Sequence, residues 1–322
     1  MGEHGDAMVA GAGSGIAFVF PGQASQRAGM AKELIEQEPA ARQLFQEAGE
    51  ILGLDLSGVC TTGNDALLTR TDIAQPALLT TCLAWLAVVR ARGLEASMVA
   101  GHSLGEFSAW VAAGALEFEP ALRLVRRRGE LMEEACRRNP GSMNAIIGVA
   151  DKDVIKMCEE ARGAGVVVAA NFNSPGQIVV SGEAAALDKV AALAKAASGR
   201  SLPLRVSGAF HSPLMDDAAH DFARLVAEAP IADPRIPVVA NVSAEPVTDA
   251  AGVRQAISHQ MTSPVLWTAT VKRMLADGVR LFLEVGPGEV LTKLIQRTAA
   301  EAQAAAVMSL ANLDTLCQEA NR

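Results

Sequence analysis

The sequence has no excess of positive charge, no paired cysteines and no long uninterrupted apolar run, and each absence argues against a class of protein. Acidic residues outnumber basic ones, 36 to 28, for a formal net charge of −8 at pH 7. That balance argues against an extended nucleic-acid footprint, which needs a broad basic face. The five cysteines, Cys60, Cys82, Cys136, Cys158 and Cys317, are odd in number, scattered and free of any CxxC pattern. They argue against a disulfide framework or structural zinc and for a reducing compartment, each reading as a small buried hydrophobe. The longest apolar stretch, LLTTCLAWLAVV, is too short and too polar to span a bilayer. The opening MGEHGDAMVAGAGSG lacks the basic and apolar regions of a secretory signal, and Asp6 misses the myristoylation pattern. The expectation is a cytoplasmic protein with neither a nucleic-acid nor a membrane partner. A monomer is the starting assumption, with larger assemblies left open.

What is present is a chain of 322 residues, 50% hydrophobic and 20% charged, enough for a large domain with a smaller one attached. A strand at Ile16–Phe20 is followed by the loop PGQASQ and a helical stretch from about Lys32 to Leu52. PALLTTCLAWLAVVRARG reads as a buried helix that stops at Gly93. The short strand SMVA runs into GHSLG and two helices, Glu106 to Ala113 and Glu119 to Arg137. MNAIIGVA, DKDVIKMCEEARG, VVVAANF, QIVVSG, EAAALDKVAALAKAAS and RSLPLRVSG then give the order βαββαβ, a ferredoxin-like unit. Strand–helix alternation returns with IPVVANV, PVLWTATVKRMLADGV, LFLEVG and EVLTKLIQRTAAE. The expected fold is therefore α/β: a hydrolase-like, parallel-rich sheet domain at 16–138 and 207–310, with the ferredoxin-like domain inserted at 139–206. Residues 1–15 and 311–322 read as tails. The Ala-rich AEAQAAA is too short to interpret. GAGSG at 11–15 precedes a strand and lacks GxGxxG spacing, so it is not a dinucleotide loop.

Three features carry chemistry. GHSLG fits G-x-S-x-G between a strand and a helix, a turn that exposes a strained serine, here Ser103, with the Leu104 amide able to face an oxyanion. A serine needs a base. His4 lies in the tail, and His102 points away as the neighbour of Ser103. His211, His220 and His259 remain, and only His211 sits in a loop directly after a strand. Finally, the apolar stripe Ala121, Val125, Met132 in the RLVRRRGELM helix is interrupted by Arg128. Such a guanidinium either snorkels to solvent or, if buried, needs an anion: an internal carboxylate or the carboxylate of a substrate.

Together FVFPGQASQ, TDIAQPALLT, GHSLGEFSAWVAAGAL, RLVRRRGELM, NFNSPGQIVVSG, SGAFHSPLM, SPVLWT and EVGPGEVLTKLI resemble the malonyl-CoA:acyl-carrier-protein transacylases and polyketide acyltransferases, over about residues 16–300. The resemblance implies a ping-pong transfer of malonyl from malonyl-CoA to the thiol of an acyl carrier protein, with no metal or redox cofactor. It implies Ser103 as nucleophile, His211 as base, the Gln260 carbonyl as the group orienting His211, and the amides of Gln23 and Leu104 as oxyanion hole. Arg128 would bind the malonyl carboxylate, and Phe210 would limit bulk at the acyl α-carbon. Ala24 stands where PGQGS has glycine, and Asn144 where alanine is common and substrate contact is expected. Acidic carrier proteins would dock on a local basic patch, with Arg126, Arg127, Arg137 and Arg138 as candidates. The alternatives are a carrier-protein-editing acyl hydrolase and the malonyl transferase subunit of malonate decarboxylase.

Overall fold

The computed structural model describes residues 15–63 and 65–320, so the tail expected at 1–15 lies, but for Gly15, outside the described residues. In chain order the strands are β1 (Ile16–Phe20), β2 (Met98–Gly101), β3 (Ser142–Ile147), β4 (Val167–Ser174), β5 (Gln177–Gly182), β6 (Arg200–Pro203), β7 (Val238–Val239), β8 (Pro246–Val247), β9 (Leu281–Glu284) and β10 (Gln303–Ala306). They form a six-stranded sheet, β10-β9-β1-β2-β7-β8, and a four-stranded sheet, β4-β5-β3-β6.

The large sheet is parallel except where β8 turns back antiparallel on β7. Its central strands read as apolar runs because helices cover both faces: Phe18 and Phe20 enter one core, Ala17 and Val19 the other. The small sheet is antiparallel, and its helices Asp151–Ala161 and Ala184–Ala196 pack through Val154, Cys158, Leu187 and Val190 onto Ile146, Ile178 and Val180. This order is the ferredoxin-like one read from the sequence. A parallel bridge from Asn171 to Val265 ties β4 to the large unit, with Phe172 N–H donating to the Val265 carbonyl at 2.9 Å.

Several elements differ from the sequence reading. The helix expected over Lys32–Leu52 is two, Lys32–Gln37 and Pro39–Leu52, because Pro39 begins a new first turn and leaves Glu38 extended. LLTTCLAWLAVV is part of a 21-residue helix, Thr71–Ala91, which by length and composition is long and apolar enough to cross a membrane. It begins earlier than expected because it runs through Pro76. Pro76 offers no N–H to the Asp72 carbonyl, and Arg126 Nη1 donates to that oxygen instead, at 2.7 Å. The helix is the core of the large unit, with 94% of its most apolar window buried. The Ala-rich segment near 303 pairs with β9 as edge strand β10. Residues 311–322, read as a tail, are helical as far as Ala320 in the helix Leu310–Ala320. Leu313 of that helix is buried, and Asp314 pairs with Arg92 at 2.8 Å.

Candidate active site

Phe20 lies opposite Gly101 in the parallel β1–β2 register, so the loop after β1 and the turn after β2 leave the carboxyl edge of the sheet together. The His102 amide donates to the Phe20 carbonyl at 3.0 Å. A side chain at Gly105 would overlap that carbonyl, and one at Gly101 would overlap the backbone of Gly105. The two glycines of GHSLG are thus required by backbone packing. Between them Ser103 has φ 50°, a left-handed conformation that costs a non-glycine residue about 1–2 kcal/mol.

Buried Asn241 holds this turn. Its Oδ1 accepts from the Ser103 amide at 2.7 Å, and its Nδ2 donates to the Gly101 carbonyl at 2.6 Å. Its own amide donates to Glu106 at 2.7 Å. It arrives there because β7 pairs with β2 and ends two residues earlier, at Val239.

Ser103 Oγ lies 2.7 Å from His211 Nε2. His211 Nδ1 faces the carbonyl oxygens of Gln260 at 3.0 Å and Ser263 at 3.1 Å. Carbonyls only accept, so Nδ1 carries the hydrogen and Nε2 presents its lone pair to the serine hydroxyl. Burial above all, then the charge of Arg128, pushes the His211 pKa down to about 3. The imidazole is therefore neutral at physiological pH. Both groups holding its Nδ1 are main-chain carbonyls, so among the described residues no carboxylate takes the orienting position of a triad. Among the three histidines left open by the sequence, His220 instead accepts from Arg224 at 3.0 Å on an exposed helix. His259 bonds back to the Gln255 carbonyl at 2.9 Å.

Arg128 sits on the inward face of the helix Phe118–Arg138 and is 1% exposed. Nη1 donates to Gln75 Oε1 at 2.9 Å and Nη2 to Gln260 Oε1 at 2.8 Å. The guanidinium carbon lies 5.7 Å from the Phe107 ring centre. Its hydrogen-bond partners are neutral amides, and among the described residues it forms no ion pair with a carboxylate. The internal salt bridge weighed from the sequence is therefore absent there. Burial lowers its pKa to about 10, and the field of Glu106 opposes the shift. It stays charged at neutral pH.

Gln260 closes the helix Ala250–Gln260 and joins these groups. Its carbonyl meets His211, its Oε1 meets Arg128, and its Nε2 donates to the Ser103 carbonyl at 2.9 Å and to Glu106 Oε2. Glu106 is fully buried, and burial pushes its carboxyl up to about 7 against the opposing hydrogen bonds of Asn241 and Gln260 and the charge of Arg128.

Ser103 and His211 open into a cleft of about 300 Å³ between the two sheets, which Phe210, Met132 and the Gln23–Ser25 loop also line. Gln23 donates its side-chain amide to Thr71 Oγ1 at 3.3 Å. Leu104 buries its side chain, and its amide lies at the turn into the helix Gly105–Ala112. Ala24, in place of the usual glycine, has φ 82°. His102 bonds Asn173 Oδ1 at 2.8 Å.

One expectation is corrected and another qualified. Asn144 does not line the cleft: strand alternation turns its neighbours Met143 and Ala145 inward, and Asn144 donates to Ser201 Oγ at 3.1 Å. The arginines expected to form a basic patch are interleaved with acids. Arg126 pairs with Asp72 and Glu130, Arg127 with Glu130 and Glu134, and Arg138 with Glu134, while Arg137 shares a pocket with Glu130, Glu133 and Glu134. Sequence reasoning also passed over Asn241, Glu106 and Gln75. Glu106 carried the same signal as Arg128, a charge within a helix that is otherwise buried.

The fold and site define an α/β protein with a serine–histidine pair on a strand-to-helix turn, the arrangement of acyl-transferring and acyl-hydrolysing serine enzymes. Comparison with known proteins narrows the class. The sequence matches the acyl transferase domain family over residues 17–315, and the chain belongs to that family. It is 44% identical to the malonyl CoA-acyl carrier protein transacylase of Bacillus subtilis (strain 168), over 88% of this chain and 90% of that protein. The transacylase of Escherichia coli (strain K12) is likewise 44% identical, over 88% and 92%. Among solved structures, an acyl carrier protein S-malonyltransferase from Vibrio cholerae superposes with a TM-score of 0.90 at 42% identity, covering 94% of this chain and 99% of that one. A malonyl-transacylase solved in complex with a type II polyketide-synthase acyl carrier protein gives 0.92 at 40% identity, with coverage of 94% and 99%.

Proposed function

We propose that this chain transfers a malonyl group from malonyl-CoA to the phosphopantetheine thiol of an acyl carrier protein, in fatty-acid or polyketide synthesis. Neutral His211 takes the Ser103 proton at Nε2 as Oγ attacks the thioester carbonyl. The amides of Gln23 and Leu104 receive the oxyanion. The tetrahedral intermediate collapses, the C–S bond breaks, and His211 returns the proton to the departing CoA thiol. The carrier-protein thiol then attacks malonyl-Ser103, giving up its proton to His211, and Ser103 regains a proton as it leaves. Arg128 grips the free carboxylate throughout, and Phe210 bounds the space at the acyl α-carbon. The chemistry needs no metal or redox cofactor, and the setting is a cytoplasmic monomer.

The observation that carries this reading is Gln260, which bonds the base through its carbonyl and the buried cation through its side chain. A reactive serine and an anion site are thereby fixed in one frame. Intact-protein mass after brief mixing with malonyl-CoA tests it. The expected result is a malonyl adduct that requires Ser103 and is discharged by holo carrier protein. Turnover to free malonate without a thiol acceptor overturns it in favour of a hydrolase.

A further inference from the structure

We propose that Glu106 is a positioning residue that sets the preference for a carboxylate-bearing acyl group, acting on Arg128 through the side-chain amide of Gln260. The inference rests on the malonyl-transfer reading.

A primary amide has an accepting and a donating end, and which end faces Arg128 decides whether the arginine is held or repelled. An oxygen toward the guanidinium accepts its hydrogen; an NH₂ group there would oppose donor to donor. The orientation with Oε1 on Arg128 Nη2 is fixed from the opposite end, where Gln260 Nε2 meets Glu106 Oε2 and the Ser103 carbonyl. Glu106 can play this part because both its oxygens receive donors: Oε1 the Asn241 amide and Oε2 the Gln260 amide. An acceptor-only carboxylate satisfies both. A carboxylic acid would have a proton with nowhere to go. The charged group facing Glu106 is Arg128, from the neighbouring helix. Glu106 is fully buried and, like Arg128 and Gln260, is absent from the cleft lining; with both its oxygens taken by Asn241 and Gln260, it acts on substrate only at one remove.

Glu106→Gln keeps the volume but has only one accepting oxygen; with that oxygen on the Asn241 amide, its NH₂ opposes Gln260 Nε2 and turns the Gln260 amide or breaks its bond to Arg128. The His211 contact survives, because it uses the Gln260 main chain. The expected result is a fall in kcat/KM for malonyl loading of about tenfold or more, the worth of one hydrogen bond to a charged group, carried mainly by KM. Acetyl loading and the rate of Ser103 labelling by a fluorophosphonate should fall less than malonyl loading and in step with each other, since Asn241 and the Ser103 carbonyl feel the change while only malonyl depends on Arg128. In the Arg128→Ala background Glu106→Gln should add nothing to the malonyl-to-acetyl ratio, because its effect passes through Arg128. In the parent that ratio should fall as pH drops below about 7, where Glu106 gains its proton, and be flat in Glu106→Gln. Malonyl loading by Glu106→Gln equal to or better than the parent's overturns the inference, as does full additivity with Arg128→Ala. If fluorophosphonate labelling collapses along with malonyl loading, Glu106 merely supports the serine turn and the inference also fails. Failure of the parent itself to load malonyl would count against the transfer reading instead.

Discussion

Replacing Arg128 with alanine separates the two halves of the proposed site. The guanidinium is 1% exposed and is bonded to Gln75 and Gln260 at 2.9 and 2.8 Å. It remains charged at pH 7, because burial brings its pKa only to about 10. Against a substrate carboxylate in this water-poor setting, each charge-assisted hydrogen bond contributes about 1.5–3 kcal/mol. Two such bonds give about 3–6 kcal/mol, so kcat/KM for malonyl loading should fall roughly 10²–10⁴-fold in Arg128→Ala. Acetyl-CoA tells the other side. In the parent, an acetyl group leaves the buried cation without an anion, a cost of about 1–3 kcal/mol that disappears with the arginine. Acetyl loading should therefore rise about tenfold while malonyl loading falls. Rapid-quench intact-protein mass spectrometry with each thioester reads both rates from the Ser103 adduct. Malonyl loading within threefold of the parent's, or acetyl loading that falls in parallel, would refute the reasoning and return Arg128 to a structural part in the core.

Other perturbations test the frame. Ser103→Gly should abolish the adduct yet hold or slightly raise Tm, since glycine relieves the cost of φ 50° at that turn. Ala24→Gly, at φ 82°, should stabilise by about 0.5–1 kcal/mol in urea unfolding, the left-handed strain less the added freedom of the unfolded chain. Asn241→Ala leaves the Ser103 amide and the Gly101 carbonyl without their partner and should cost about 2–4 kcal/mol, together with most of the acylation rate. The pH dependence of stability carries a sign. The His211 pKa falls from 6.5 to about 3 on folding, so the unfolded chain binds the extra proton. Its contribution to stability is complete above pH 6.5 and is lost as pH falls toward 3. Unfolding titrations of His211→Ala and the parent should thus converge, or cross in favour of the variant, through that window. Parallel curves would mean the histidine is not held neutral.

Much of this site was legible because it is local. GHSLG names its own turn: two glycines, a strand before and a helix after are all within reach of one sequence window. The misplaced charge at Arg128 showed for the same reason, since helical periodicity is a local property. His211 was different. A loop position after a strand favoured it over His220 and His259, yet nothing local fixed its pairing with Ser103, which spans 108 residues. Asn241 was invisible on the same ground: its task is to hold a turn 138 residues earlier, through strand pairing that has no signature in IPVVANV. The C-terminal helix was missed because what fixes it is distant, a salt bridge from Asp314 to Arg92 and an inward Leu313. The basic patch is qualified for a related reason. Arg126, Arg127 and Arg138 look cationic in a list of residues, yet they share acids one helical turn or one helix away.

The two peptide carbonyls behind His211 set a time scale. A carboxylate in that position would lend the ring a full negative charge and steady the imidazolium it becomes; the Gln260 and Ser263 carbonyls lend only dipoles. A thiol gives up its proton readily and attacks well with modest help, whereas water needs a strong base. A deliberately mild base thus favours the exchange of one thioester for another and leaves water slow. Under the proposed transfer, an acyl group on Ser103 would then be lost to water slowly and held for the thiol acceptor.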